Sequence, residues 1–344
     1  METTGTVQSF GVLNYSGPLF NKGNTKTPFL SMIAGKTAYT DHVEFVTGQE
    51  YTTEDGEIPN ISETGSLTAP EASYITRAQK TNVTQIFMDS VAISYAKQSN
   101  MGTLSGVNIA GQEANPMSEL DFQVARKLEK LGNSIEKTFI NGTYNKASTD
   151  AEVNKTRGMI EAITTNVIAA KNKPLGLWLV NDLMQKIANS NGDISNLVLW
   201  VDTTSLNQLN ADAIENGLTM TPATRNENGI QIRKLILPLG EINIALGKYL
   251  PSGTALLLNF EVIRPVEQPV PGKGNFFLEP LSKTGAGEKY QLFGQIGLDH
   301  GPEWYHGKIT GLSTTFTAPT GEKKVVVTNT EENPVNTKAV GAGA

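Results

Sequence analysis

Asp299, His300 and His306 form the densest group in the chain able to move a proton or hold a metal. The chain has 3 histidines, and the third, His42, is remote. One carboxylate and two imidazoles on a turn are too few for a closed metal site, so the group reads as structural. The run from Gly301 to Lys308 imitates a phosphate loop, but five residues rather than four separate Gly301 from Gly307. The run leads into an apolar strand end at Ile309, not into an opening helix. No serine occupies a G-x-S-x-G elbow. Glu113 and Glu119 could pair as acid and base only in a cleft that no motif supplies. Trp304, Tyr305 and Phe293 read as packing residues or, if exposed, as protein-interface residues. The sequence therefore offers no catalytic residue, cofactor site or metal site.

Composition narrows the classes further. With 344 residues and 38% hydrophobic content the chain can bury a large core or two medium ones. Frequent Gly, Pro, Thr and Asn favour strands and turns over helix. There are 28 basic and 34 acidic residues, a net charge of −6, which makes a poor nucleic-acid clamp. The chain has no cysteine, which excludes disulfides, thiol catalysis and thiolate metal sites. No basic segment followed by an apolar run opens the chain, so neither a signal peptide nor trimming is expected. No run approaches about 18 apolar residues, so no membrane span is expected. The sequons at Asn82, Asn141 and Asn154 carry no weight without a sign of secretion.

The elements that would position these residues are set by periodicity. Residues 1–38 are polar with scattered anchors such as Phe10, Phe20 and Phe29, which suits either a loosely docked N-terminal tail or an extended arm docking on a neighbour. Val43, Phe45 and Val46 mark a strand. Some 25 residues of turn formers come next, and then Val83, Ile86, Val91, Ile93 and Tyr95 resume a strand pattern. So long an irregular excursion between strands predicts a protruding flap. Its acidic residues Glu54, Asp55, Glu57 and Glu63 suit either water or a basic patch on another subunit.

Residues 118–140 predict a long amphipathic helix. Leu120, Val124, Leu128, Leu131, Ile135 and Phe139 line one side, Ser118 caps it, and Asn141-Gly142 stops it. From 157 to 260, short helices alternate with strands and predict a compact α/β unit. The helices are Arg157–Lys171, Asn181–Asn189 and Thr203–Ala213. The strands are Leu197–Val201, Ile230–Leu237, Glu241–Leu246 and Ala255–Asn259. Leu177–Val180 reads as a strand or buried turn. Phe276–Leu278, Tyr290–Leu298 and Lys308–Leu312 return to sheet. Residues 317–344 read as a flexible tail with one apolar run at Val325–Val327.

Three segments, in this order, resemble the major capsid proteins of tailed bacteriophages. They are RAQKTNVTQIFMDSVAIS from Arg77, the helix ELDFQVARKLEKLGNSIEKTFING, and the strands FLEPLSKTGAGEKYQLFGQI and HGKITGL. Ala286 stands where that family's pattern has an acidic residue. The resemblance spans about residues 40–316. It implies an α+β phage capsid fold, in which a long spine helix packs on an elongated antiparallel sheet beside a compact mixed α/β axial domain. An extended hairpin-like loop protrudes from it.

The implied division is an N-terminal arm at 1–40, the extended loop and flanking strands at 41–97, and a peripheral domain at 98–156. The axial domain would be 157–250, with return strands of the peripheral domain at 251–316 and the tail at 317–344. The implied function is self-assembly, as hexamers and pentamers, into an icosahedral shell enclosing double-stranded DNA without sequence-specific binding. Portal protein, and scaffold or decoration proteins, are the implied partners. The implied location is the virion, after assembly in the host cytoplasm. Glu54, Asp55, Glu57, Glu63, Arg77, Arg126, Lys127 and Lys130 are the candidate intersubunit contacts. Two rival classes stay open: a hydrolase-like α/β enzyme, which needs a polar cleft, and an adhesive surface protein, which needs exposed platforms at Trp178, Trp200 or Trp304.

Overall fold

The computed structural model describes residues 27–51, 58, 60–69, 77–96, 119–215, 221–227, 230–283 and 285–316. The Ser118 cap, the arm before residue 27, the tail after 316 and most of the acidic stretch after Tyr51 lie outside these residues. The chain begins with α1 (Pro28–Ile33), β1 (Ala38–Tyr39) and β2 (Glu44–Tyr51). β3 (Arg77–Val83) and β4 (Gln85–Ser94) precede the long helix α2 (Glu119–Asn141). Then come α3 (Met159–Ala162), β5 (Val167–Ala169), α4 (Leu177–Asn189), β6 (Leu197–Val201) and α5 (Thr203–Glu215). The remaining strands are β7 (Thr221–Glu227), β8 (Ile230–Leu237), β9 (Gly240–Leu246), β10 (Thr254–Asn259), β11 (Arg264–Glu267), β12 (Phe277–Leu281), β13 (Gly287–Asp299) and β14 (Gly307–Thr310).

These strands make two large sheets and one ribbon. A seven-stranded sheet runs β5-β14-β10-β6-β9-β8-β7. LVLWV forms its centre because a continuous apolar run suits a strand buried on both faces, and all five residues of β6 are buried. On one face, Leu199, Val201, Ile244 and Leu257 pack with Val180, Leu183 and Ile187 of α4 and Leu206 and Leu209 of α5. On the other, Trp200, Leu256 and Leu258 join Phe29 and Ile33 of α1 and Leu131, Ile135 and Phe139 of α2. Phe29 meets the Trp200 ring edge-on at 5.8 Å and the Phe260 ring at 5.3 Å.

The second sheet has β13 as its long strand. β4 pairs along one edge of it, and β12 and β11 along the other. Alternation along β4 puts Phe87, Val91 and Ile93 inside and Ile86, Met88, Ala92 and Ser94 outside. Helix α2 lies on the inner side. Its C-terminal half is buried at Leu131, Ile135 and Phe139, whereas Leu128, on the same predicted stripe, is 44% exposed.

Three sequence expectations need correction. Arg157–Lys171 is not one helix: α3 ends at Ala162, and Val167–Ala169 becomes the edge strand β5, parallel to β14. The backbone N–H groups of Thr164 and Thr165 donate to the Glu303 carboxylate instead of continuing a helical ladder. Leu177–Val180 is the first turn of α4, not a strand; the apolar run LWLV hides its helical period because Trp178 points outward, 71% exposed. Finally, the return strands of 251–316 do not stay together. β10 and β14 pair with β6 and β5 in the seven-stranded sheet, and only β11, β12 and β13 return to the other.

Candidate intersubunit contact surface

β2 and β3 pair antiparallel from Glu44↔Val83 out to Tyr51↔Arg77, with a register shift between Val46 and Gln49. The root of this ribbon is bolted to the body. Thr47 is buried at the shift; its hydroxyl donates to Asp299 Oδ1 at 2.7 Å and accepts the His300 N–H at 3.1 Å. Asp299 also accepts the Gly301 N–H and pairs with Arg264 at 3.2 Å. Gly48, at φ +65, sits so close that an added Cβ would lie 2.8 Å from the Gly301 carbonyl oxygen. Gly297 serves a similar purpose: a Cβ there would meet the Phe45 ring at 2.7 Å, so the ribbon crosses β13 only over a bare backbone.

Asn82, fully buried, forms the second bolt. Its amide donates to the Leu298 and Arg157 carbonyls, and its oxygen accepts the Arg157 and Val83 N–H groups. Every hydrogen-bonding site of the side chain is used, which leaves this sequon inaccessible as well as saturated. The Arg157 guanidinium stacks 4.4 Å from the centre of the Tyr144 ring.

The tip differs. Around the short turn Gly65–Leu67, Ile58 is 93% exposed and Leu67 85% exposed, and Ile61 is also exposed. Glu63 is exposed, and its backbone carbonyl accepts the Ser66 hydroxyl. Glu54, Asp55 and Glu57 lie outside the described residues, as does the side chain of Arg77, whose backbone opens β3.

A second apolar surface lies on the outer face of the β13 sheet. Directly paired residues share a face, so Met88, Phe293 and Phe277 stand in one row, and Ala92, Lys289 and Leu281 in another. Met88 is 60% exposed and Ile86 55%, and the Phe277 and Phe293 rings lie 5.7 Å apart. Among the described residues no helix packs over this face.

Three of the predicted contact residues are engaged inside the chain. Lys127 and Lys130 converge on Asp89 of β4 at 2.8 and 2.9 Å, and Arg126 pairs with Glu129 at 2.8 Å. Burial alone would raise the Asp89 pKa, but the two ammonium groups and the Ser90 N–H outweigh it and bring it to about 2. Sequence reasoning missed Asp89. Its signal was available: an acidic residue on the buried phase of an alternating strand requires a cationic partner.

The histidine turn is a buried corner in which every ring nitrogen except His300 Nε2 has a partner. His306 Nδ1 accepts the Asn259 N–H, which leaves Nε2–H to donate to the His300 carbonyl at 2.8 Å. Burial depresses its pKa to about 4, so it is neutral. Burial works to raise Glu303, but hydrogen bonds from Thr165 and from the Thr164 and Thr165 N–H groups hold it below the usual range. The Asn166 amide donates to the Trp304 and His306 carbonyls. Trp200 is core, Trp304 is half-buried against Tyr305, and Trp178 alone of the three is exposed. Among the described residues no three His, Asp or Glu side chains gather as a metal site, and no helix is long and apolar enough to cross a membrane.

Compared with known proteins, residues 2–313 match the family model described as SU10 major capsid protein. The fold is similar to the cyanophage A-1(L) capsid asymmetric unit, with TM-score 0.60 and 12% identity over 86% of this chain and 95% of that one. It is also similar to the holo-SrpI encapsulin complex of Synechococcus elongatus PCC 7942, with TM-score 0.55 and 10% identity over 90% and 98%. Mycobacterium phage Adephagia gives TM-score 0.51 and 12% identity over 88% and 95%. At such identities the likeness is one of fold, a mixed α/β architecture of the capsid type. No curated protein matches the chain.

Proposed function

Because this chain belongs to the SU10 major capsid protein family, we propose that its copies assemble as hexamers and pentamers into an icosahedral shell around double-stranded DNA, each finishing a surface its neighbour leaves open. The chain is a structural protein of the virion, not an enzyme. In this reading the seven-stranded sheet with α4 and α5 is the axial domain, now including β10 and β14. Helix α2 with the β13 sheet is the peripheral domain, residues 1–40 the arm, and the β2–β3 ribbon the extended loop.

One observation carries the proposal: among the described residues, the same chain presents two apolar surfaces that it does not cover. The loop tip offers Ile58, Ile61 and Leu67; the outer sheet face offers exposed Ile86 and Met88 beside half-buried Phe277 and Phe293. An isolated exposed leucine needs no explanation, but contiguous apolar surface does. The loop carries Glu54, Asp55, Glu57 and Glu63; the outer face carries Lys289 and also Glu279, which pairs with Lys273 at 2.6 Å. The occupant we assign to that face is the loop of a second copy, with Arg77 and Glu63 at its rim. Arg126, Lys127 and Lys130, on the helix that closes the opposite face, remain candidate contacts with another neighbour. Rim pairs of this kind are individually weak and gain their effect by repetition around a closed lattice. The net negative charge fits DNA held by enclosure and its own counterions rather than by grip, with portal and scaffold or decoration proteins as further partners.

The test removes residues 52–72 and replaces them with a short Gly-Ser turn. The expected product is soluble subunits that form no closed shells by negative-stain imaging and light scattering. Particles of normal size would overturn the assignment.

A further inference from the structure

We propose that the docking of α1 is set by the proton on Glu136: helix α1 is held when the carboxyl is neutral and loosened when it ionises. The proposal rests on contacts inside one chain, so it stands or fails separately from the assembly reading.

Three attachments of α1 are seen among the described residues. Phe29 and Ile33 fill the apolar space between α2 and the seven-stranded sheet. The Lys36 ammonium donates to the Phe260 carbonyl at 3.0 Å. The third attachment is Glu136. Thr27 precedes α1 but makes no side-chain cap, and Pro28 supplies no N–H. The first free donors of α1 turn instead to Glu136 of α2, whose Oε2 accepts the Leu30 N–H at a long 3.5 Å. The other oxygen, Oε1, is buried with no hydrogen-bond partner, and the side chain is fully enclosed.

This geometry suits a carboxyl group better than a carboxylate. An ionised group needs several donors when it is removed from water, and here it has one long bond from Leu30, the nearby Phe29 N–H and an orphaned oxygen. The charged group that acts on it is Lys248, in the turn after β9. From α1 it faces only the backbone N–H groups of Phe29 and Leu30. On its own helix the positions one turn away are Gly132, Asn133, Phe139 and Ile140, none of them charged. The surrounding cluster of Phe29, Ile33, Leu131, Ile135 and Trp200 is apolar. Burial accordingly raises the Glu136 pKa to about 7, with the two N–H groups and Lys248 pulling the other way.

The sign comes from linkage. A carboxyl whose pKa is raised by docking favours the docked state below its free pKa of 4.5. That advantage is lost as pH rises from there and is gone just above 7. The difference corresponds to a docking constant weakened by about two orders of magnitude.

The test is hydrogen exchange read by mass spectrometry on the full chain. The protection of the segment 28–35 is corrected for the intrinsic rate and measured from pH 5 to pH 8. Wild type should lose protection there by up to about 100-fold, while core strand β6 keeps its own. Glu136→Gln should hold its protection across the range. Lys248→Met, at an exposed position, should lower protection at pH 8 further and extend the loss to higher pH. A flat wild-type profile, or a Glu136→Gln profile as steep as wild type, would overturn the proposal. Should Glu136→Gln lose protection throughout the chain, Lys248→Met decides, and a profile identical to wild type counts against Glu136.

Discussion

The two large sheets are built from similar strands and end in opposite conditions. In the seven-stranded sheet, β6 is buried at every position and β10 at five of its six, because α4 and α5 cover one face and α1 and α2 the other. In the β13 sheet, β4 alternates, and among the described residues a helix closes only the face under α2. The first sheet completes its core within one chain. The second keeps Ile86 and Met88 in water, at a cost in exposed apolar area that a neighbour can recover. The β2–β3 ribbon repeats the contrast on a smaller scale, with a root fixed by Thr47 and Asn82 and a tip whose Ile58, Ile61 and Leu67 are exposed.

The contrast can be broken most forcefully at the centre of the closed sheet. Trp200→Ala removes the ring against which Phe29 and Phe260 pack, and should cost about 3–5 kcal/mol of subunit stability in urea unfolding. Asn82→Ala strands two carbonyls and two N–H groups at the ribbon root. A loss of about 2–3 kcal/mol is expected, with added proteolysis of the ribbon.

Asp89→Asn tests the clamp between the half-open sheet and α2. Because Lys127 and Lys130 are partly solvated, the loss at neutral pH should be about 1 kcal/mol. A depressed carboxyl contributes above its free pKa of 3.8 and loses that contribution as pH falls through about 2. The two proteins should therefore unfold alike near pH 2, and a persistent gap there would assign the effect to packing. The smallest effect on the subunit belongs to Met88→Lys on the open face, about 0.5 kcal/mol or less. The same change should prevent shell formation. Normal particles from Met88→Lys would mean that this face is not an interface.

Some of the site was legible in advance and some was not, for reasons visible in particular residues. Helix α2 was readable because its apolar residues recur at helical spacing; that Leu128 would remain exposed was not, since spacing says which side is apolar and not what covers it. Lys127 and Lys130 were visible as charges on a helix, and Glu63 as a solvated loop residue. Their uses diverge because Asp89, 38 residues from Lys127, meets the helix only once β4 is paired. The latch from Thr47 to Asp299 joins residues 252 apart, and neither has a neighbour in sequence that announces the other.

The sequence by itself determined the local elements: the helical period of α2, the doubly buried strand LVLWV, the absence of thiols, and the turn at Asp299–Pro302. These depend on steric preference and on solvent exposure of residues a few positions apart. Tertiary structure alone decided that β10 and β14 join β6 rather than β13, that Val167–Ala169 leaves helix for strand, and that one sheet closes while the other stays open. Strand partners and buried charge pairs are chosen by closing long loops against a shared core, and that choice is spread over the whole chain rather than written in any one window of it.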